Sequence, residues 1–223
     1  ILLSIDKVNK HLNIILANCT ARNGNKGCEA LCISTMLIID EILSVNGISY
    51  TFYLPHSGYK RFGKYSVDCG KKKLTFTAIY DYNLYGLKSI IRNIFHLKDS
   101  LAARNVWKQA DFVLDIGQGD SFADIYGKQR FDRINSAYKN GRIFQKPYCI
   151  LPQTIGPYSD VAIRKEAIKS IKNCHCVMTR DKQSYDYVKD LLPNKDVYEI
   201  IDVAFSMPYI KKSFSAEHVH VGL

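Results

Sequence analysis

Short apolar runs alternate with stretches of helical periodicity along most of the chain, and this restricts the fold more than any other feature. Residues 13–17 (Asn-Ile-Ile-Leu-Ala), 112–116 (Phe-Val-Leu-Asp-Ile), 148–151 (Tyr-Cys-Ile-Leu) and 176–179 (Cys-Val-Met-Thr) are too short for helices, and each leads into a polar turn. They lack the in–out alternation of a half-solvated strand, so they predict strands covered on both faces, as in a parallel sheet. Further strands are expected over 48–54, 74–80 and 197–201. Helical spacing predicts helices over 29–45, 121–140, 161–173 and 181–192, with a helical pair within 82–110. Asn46-Gly47 and Pro193-Asn194 supply the stops. The expected fold class is therefore α/β, a doubly wound parallel sheet with helices on both faces.

At 223 residues the chain can bury a sizeable core. Its 47% hydrophobic and 23% charged content excludes a disordered chain. The most apolar stretch, 31–43, is broken by Ser34, Thr35, Asp40 and Glu41, so no membrane-spanning helix is expected. Residues 208–217 read as a linker after a domain of residues 1–207. His218-Val-His-Val221 then begins a strand that could not end a domain unpaired, so residues 218–223 are expected to open a second, truncated domain.

Lys and Arg exceed Asp and Glu by 31 − 21 = +10. Basic residues cluster at 60–73 and 128–146, which reads first as solvated surface and second as attraction for an anion. They do not gather on one helix and carry no aromatic-interleaved motif, so a nucleic-acid partner is not expected. The seven cysteines are odd in number and lie mostly in apolar runs, the pattern of buried free thiols in a reducing compartment. Cys28 with Cys32, and Cys174-His175-Cys176, lack a second ligand pair at zinc spacing, so no metal site is expected.

In an open parallel sheet, ligands bind beyond the carboxyl ends of the strands. Four loops there are rich in Gly and polar residues. The first holds Asn23, Asn25, Gly27 and Glu29, where backbone amides at a helix start could form an anion nest, or Asn25 could simply cap the helix. The second runs through Gly117, Gln118, Gly119, Asp120, Ser121 and Asp124. Its carboxylates suit sugar hydroxyls better than phosphate, although Ser121-x-x-Asp124 also fits a capping box. The third offers Gln153, Thr154 and Gly156 between two prolines, as neutral hydrogen-bonding groups or as a rigid connector. The fourth holds Arg180, Asp181 and Ser184. Arg180 can take a carboxylate or phosphate bidentately, or pair internally with Asp181. No nucleophile elbow, Walker A loop or HExxH helix is present.

Taken in order, these motifs resemble the polysaccharide pyruvyl transferase family: Asn25-x-Gly27-x-Glu29-Ala30-Leu31, then Gly117-Gln-Gly119-Asp-Ser121-x-x-Asp124. Gln153-Thr-Ile-Gly156-Pro157, Thr179-Arg180-Asp181-x-x-Ser184 and Asp202-Val-Ala204-Phe205 follow. Cys28 and Gln118 depart from the family's pattern. The resemblance implies the N-terminal, Rossmann-like half of a two-domain enzyme similar to B-type glycosyltransferases. It implies transfer of pyruvate, as a ketal, from phosphoenolpyruvate to a sugar of a cell-surface polysaccharide or its lipid-linked precursor. No cofactor is implied beyond that donor substrate. Arg180 is then expected to hold the anion, and Asp120 and Asp124 to position hydroxyls, with Asp124 a candidate base. Asn23, Asn25, Gly27, Glu29, Gly117, Gln118, Gly119, Ser121, Gln153, Thr154, Gly156, Asp181 and Ser184 are expected to contribute to substrate binding. The implied setting is cytoplasmic, with peripheral contact to an anionic membrane face. Two other readings share the fold: a B-type glycosyltransferase using a nucleotide-sugar donor, and a non-catalytic glycan-binding module.

Overall fold

The computed structural model describes residues 11–59, 62–70, 72–79 and 96–209. Residues 82–95 of the expected helical pair within 82–110, most of the expected linker and the expected strand at 218–223 lie outside these residues. In chain order the elements are β1 (Leu12–Ala17), α1 (Lys26–Val45), β2 (Tyr50–Leu54), β3 (Gly63–Cys69), β4 (Lys72–Ala78) and α2 (Leu97–Gln109). There follow β5 (Phe112–Asp115), α3 (Gly127–Ile143), β6 (Tyr148–Gln153), α4 (Val161–Asn173), β7 (Cys176–Thr179), α5 (Lys182–Leu191), β8 (Val197–Glu199) and a 3-10 turn (Val203–Ser206).

One eight-stranded sheet has the order β3-β4-β2-β1-β5-β6-β7-β8. All pairings are parallel except the β3–β4 hairpin, which forms one edge. The chain starts in the middle with β1, builds outward through β2 and β4, then returns to β5 and builds the other way. The strand order therefore reverses between β1 and β5, and a crevice opens beyond their carboxyl ends, where doubly wound sheets bind ligands.

The packing of β1 explains its lack of alternation. Leu12, Ile14 and Leu16 face a layer with Leu31, Met36 and Leu43 of α1. Ile15 and Ala17 face the opposite layer with Trp107 of α2, Phe131 and Ile134 of α3, and Ile163 and Ile171 of α4. Both faces are dry, so the strand is apolar at nearly every position. Removing a side chain such as Ile14 or Leu16 from water contributes about 2 kcal/mol, which is why the central strand tolerates few polar residues.

Two expectations need correction. Strand β3 lies within the basic cluster that reads as solvated surface. Lys64, Ser66 and Asp68 alternate with Tyr65, Val67 and Cys69, so a period of two is present but masked by charge. Helix α3 starts at Gly127, not at Ser121. Residues 121–126 use their backbone groups elsewhere: Phe122 bridges Ile155 in parallel, and the Phe122 carbonyl accepts from the Gly156 amide at 3.0 Å. A backbone already paired with the β6 loop cannot also close the first helical turn.

Candidate active site at the reversal of the sheet

Beyond the carboxyl ends of β1 and β5 lies a cleft of about 600 Å³, walled by Asn25, Gly27, Cys28 and Leu31 on the α1 side. Gln118, Gly119, Asp120 and Ser121 form its floor, and Tyr126, Arg130 and Arg180 complete it. Loops after three different strands thus converge on one opening, although they are far apart in sequence.

The first loop binds itself. The Asn25 carboxamide accepts from the amides of Gly27 (3.0 Å) and Cys28 (3.2 Å), capping α1. One Glu29 oxygen accepts from the amides of Asn23 and Gly24, both at 3.1 Å, and the other pairs with Lys26 at 2.7 Å. The expected anion nest is therefore occupied by the chain's own Glu29. The Lys26 ammonium and those two amides hold the Glu29 carboxyl down at about 2. Asn25 and Gly27 reach the cleft; Asn23 and Glu29 shape the loop behind it.

The second loop is shaped by close approach. Gly117 has φ +56°, and a Cβ there would fall 1.4 Å from Gln153 Oε1. Only glycine fits. Gln153 is buried beneath it and donates to the Asp115 carbonyl at 3.2 Å, so it supports the floor and does not face the cleft. Gly119, at φ +92°, lies under Arg180: a Cβ would approach Nη1 to 3.2 Å. Asp115, at the end of β5, is buried and accepts from Asn18 Nδ2 (2.9 Å), the Gly117 amide (2.8 Å) and the Tyr148 hydroxyl. Burial raises its pKa despite these donors, which pull the other way. It anchors the loop from below.

Side chains of the second loop and α3 meet at the opening. Asp120 accepts from the Tyr126 hydroxyl at 2.8 Å. The Arg130 guanidinium donates to Gln118 Oε1 and, at 3.1 Å, to Ser121 Oγ, while Gln118 Nε2 donates to Thr20 Oγ1 at 3.1 Å. Sequence reasoning misses Arg130 and Tyr126. Arg130 lies in the basic run 128–146, which reads as surface, and what turns it inward is the late start of α3. Asp124, in contrast, does not wall the cleft. Its carboxylate accepts from the amides of Ser159 and Asp160, holding the turn before α4, and it caps no helix.

Arg180 reaches the cleft from the loop after β7. Its Nε donates to Thr154 Oγ1 at 3.0 Å and its Nη1 pairs with Asp202 at 2.7 Å. The expected internal pairing exists, but with Asp202, the residue that opens the 3-10 turn. Asp181 instead caps α5 through the Ser184 amide (2.7 Å) and accepts from Thr154 (3.1 Å). Ser184 Oγ accepts from the Ile155 amide at 2.9 Å. Gly156, at φ +71°, passes under Tyr187, whose ring a Cβ would meet at 2.4 Å. Thr154, Gly156, Asp181 and Ser184 thus tie the third loop to the fourth and hold Arg180 from behind; none lines the opening.

The cleft can therefore present two guanidinium groups, one half-buried carboxylate and a set of amide and hydroxyl groups to a small polar ligand. No group of His, Cys, Asp and Glu among the described residues could hold a metal ion. The seven cysteines are all free thiols. No helix among the described residues is long and apolar enough to cross a membrane. No curated protein matches the chain. A family model described as polysaccharide pyruvyl transferase matches residues 25–221, from the cap of α1 to near the end of the sequence. With this match spanning every residue that lines the cleft, the chain belongs to the polysaccharide pyruvyl transferase family, a family of transferases.

Proposed function

We propose that the protein transfers pyruvate from phosphoenolpyruvate to a pair of hydroxyls on a sugar, giving a pyruvate ketal and inorganic phosphate. The observation that carries this reading is the charge pattern of the cleft: Arg130 and Arg180 stand beside Asp120 at the reversal point of a sheet whose chain belongs to this family. Phosphoenolpyruvate carries a carboxylate and a phosphate close together, and guanidinium groups match such planar and tetrahedral oxyanions. The reaction adds a proton to the donor's methylene carbon and both sugar oxygens to its C2. The C2–O bond to phosphate breaks, and one hydroxyl proton leaves with that phosphate. Cations around the donor stabilise the departing charge. Asp120, kept acceptor-rich by a single tyrosine donor, suits sugar hydroxyls. The acceptor in this reading is a cell-surface polysaccharide or its lipid-linked precursor. Its setting is the cytoplasmic membrane face, which the +10 charge would favour.

The test is incubation of the full-length protein with phosphoenolpyruvate and a panel of glycans, following phosphate release and ketal formation by mass spectrometry. Phosphate release coupled to a pyruvylated product is expected. Turnover of a nucleotide sugar without phosphoenolpyruvate would transfer the protein to the glycosyltransferase reading. Sedimentation with anionic vesicles at low and high salt tests the membrane contact separately, and absence of binding at both would remove it.

A further inference from the structure

The cleft holds two guanidinium groups, and they are not equivalent. Arg180 meets a carboxylate, Asp202, at 2.7 Å. It also donates to Thr154, so its charge is matched inside the protein and its fork is partly used. Arg130 meets only neutral acceptors, Gln118 Oε1 and Ser121 Oγ, and both through the same nitrogen, Nη2. Among the described residues no carboxylate lies within ion-pair distance of it, and its Nη1 and Nε make no hydrogen bond. The first turn of α3, which carries Arg130, holds no acidic residue and no capping side chain, and the carboxylate that shares the cleft, Asp120, accepts from the Tyr126 hydroxyl and makes no ion pair with Arg130. A partly buried cation without a counter-ion is costly unless an anion arrives.

We infer that Arg130 is the anion-binding residue of the cleft, taking an oxyanion group of the donor, whereas Arg180 is a positioning residue that locks the loops after β6 and β7 to the 3-10 turn. The assignment rests on the pyruvyl transfer reading for the identity of the donor, but not for the existence of the anion site. Gln118 and Ser121 engage Nη2 and set the plane of the Arg130 guanidinium, leaving Nε and Nη1, on opposite sides of the group, to donate singly to oxygens of a carboxylate or phosphate. Gln118, one of the two residues at which the chain departs from the expected family pattern, thereby turns this arginine toward the opening.

The experiment measures binding of phosphoenolpyruvate and of inorganic phosphate to the full-length protein by calorimetry, for the wild type, Arg130→Gln, Arg130→Lys and Arg180→Lys. Circular dichroism and the thermal midpoint serve as fold controls. Arg130→Gln is expected to weaken phosphoenolpyruvate binding by roughly tenfold or more, as loss of a charged hydrogen-bond pair does, and to raise KM more than it lowers kcat. Arg130→Lys restores the charge without the fork and is expected to fall between, which keeps the test decisive should the glutamine variant fold poorly. Arg180→Lys is expected to lower the thermal midpoint more than the affinity. Wild-type affinity in a folded Arg130→Gln or Arg130→Lys variant overturns the assignment. Arg130-dependent binding of phosphate without binding of phosphoenolpyruvate upholds the anion site and removes the pyruvyl donor. Binding of neither anion by the folded wild type removes both.

Discussion

The two glycine-rich loops that flank the cleft solve the same problem in opposite ways. The loop after β1 directs its amides to its own side chains: Asn25 caps α1, and Glu29 fills the nest formed by Asn23 and Gly24. The loop after β5 makes few such bonds. Side chains crowd it where a Cβ would stand, Gln153 against Gly117, and Leu31 and Arg180 against Gly119. The first is an electrostatically closed unit that walls the cleft. The second keeps Asp120 open to the cleft and lets Gln118 and Ser121 orient Arg130. A glycine count alone treats the two loops alike, and what separates them is whether the polar groups around each are consumed locally.

The contrast can be broken at its strongest point by Gly117→Ala. A methyl group 1.4 Å from Gln153 Oε1, on a residue at φ +56°, forces the floor of the cleft to move. A loss of roughly 3 kcal/mol or more is expected in urea unfolding, with loss of turnover. Glu29→Ala attacks the other loop. It strands two amides and one lysine, and an effect of about 1.5 kcal/mol is expected by the same measurement. Because the folded carboxyl titrates at about 2, below its ordinary 4.5, the contribution of Glu29 is whole above about 4.5 and fades as pH falls toward 2. Glu29→Gln should therefore flatten that segment of the stability–pH curve, and an unchanged acid limb would show the nest to be unimportant. Asn25→Ala should cost about 1 kcal/mol in the same unfolding assay as a lost helix cap, without altering the floor of the second loop. The smallest effect belongs to Lys26→Ala. Its side chain is 86% exposed, and less than about 0.5 kcal/mol should register.

Much of the scaffold is legible in the sequence because buried parallel strands demand unbroken apolar runs. The runs at 148–151 and 176–179 and the helix at 161–173 correspond closely to β6, β7 and α4. The convergence of Asn25, Gly119 and Arg180 follows from strand direction alone, because every loop after a parallel strand emerges at the same end. Side-chain roles are less legible. Gln153 and Asp124 have the composition of ligand groups, yet one supports a glycine from below and the other holds a turn before α4. Arg130 is concealed because a helix face depends on where the helix begins, and that boundary is decided by a bridge to Ile155, distant in sequence. Local pattern carries fold direction well. It carries poorly any decision made by a partner thirty residues or more away.

The hairpin that closes one side of the sheet has a colloidal consequence. Among the described residues the outermost strands are β3, which carries Lys64 and Asp68 outward, and β8, only three residues long. Neither offers a neighbouring molecule a long, flat, uncharged row of amides to extend. Part of that protection is repulsion between molecules that each carry a net charge of +10, which decays over about 10 Å at 0.1 M salt, so concentrated stocks should self-associate more readily as ionic strength rises.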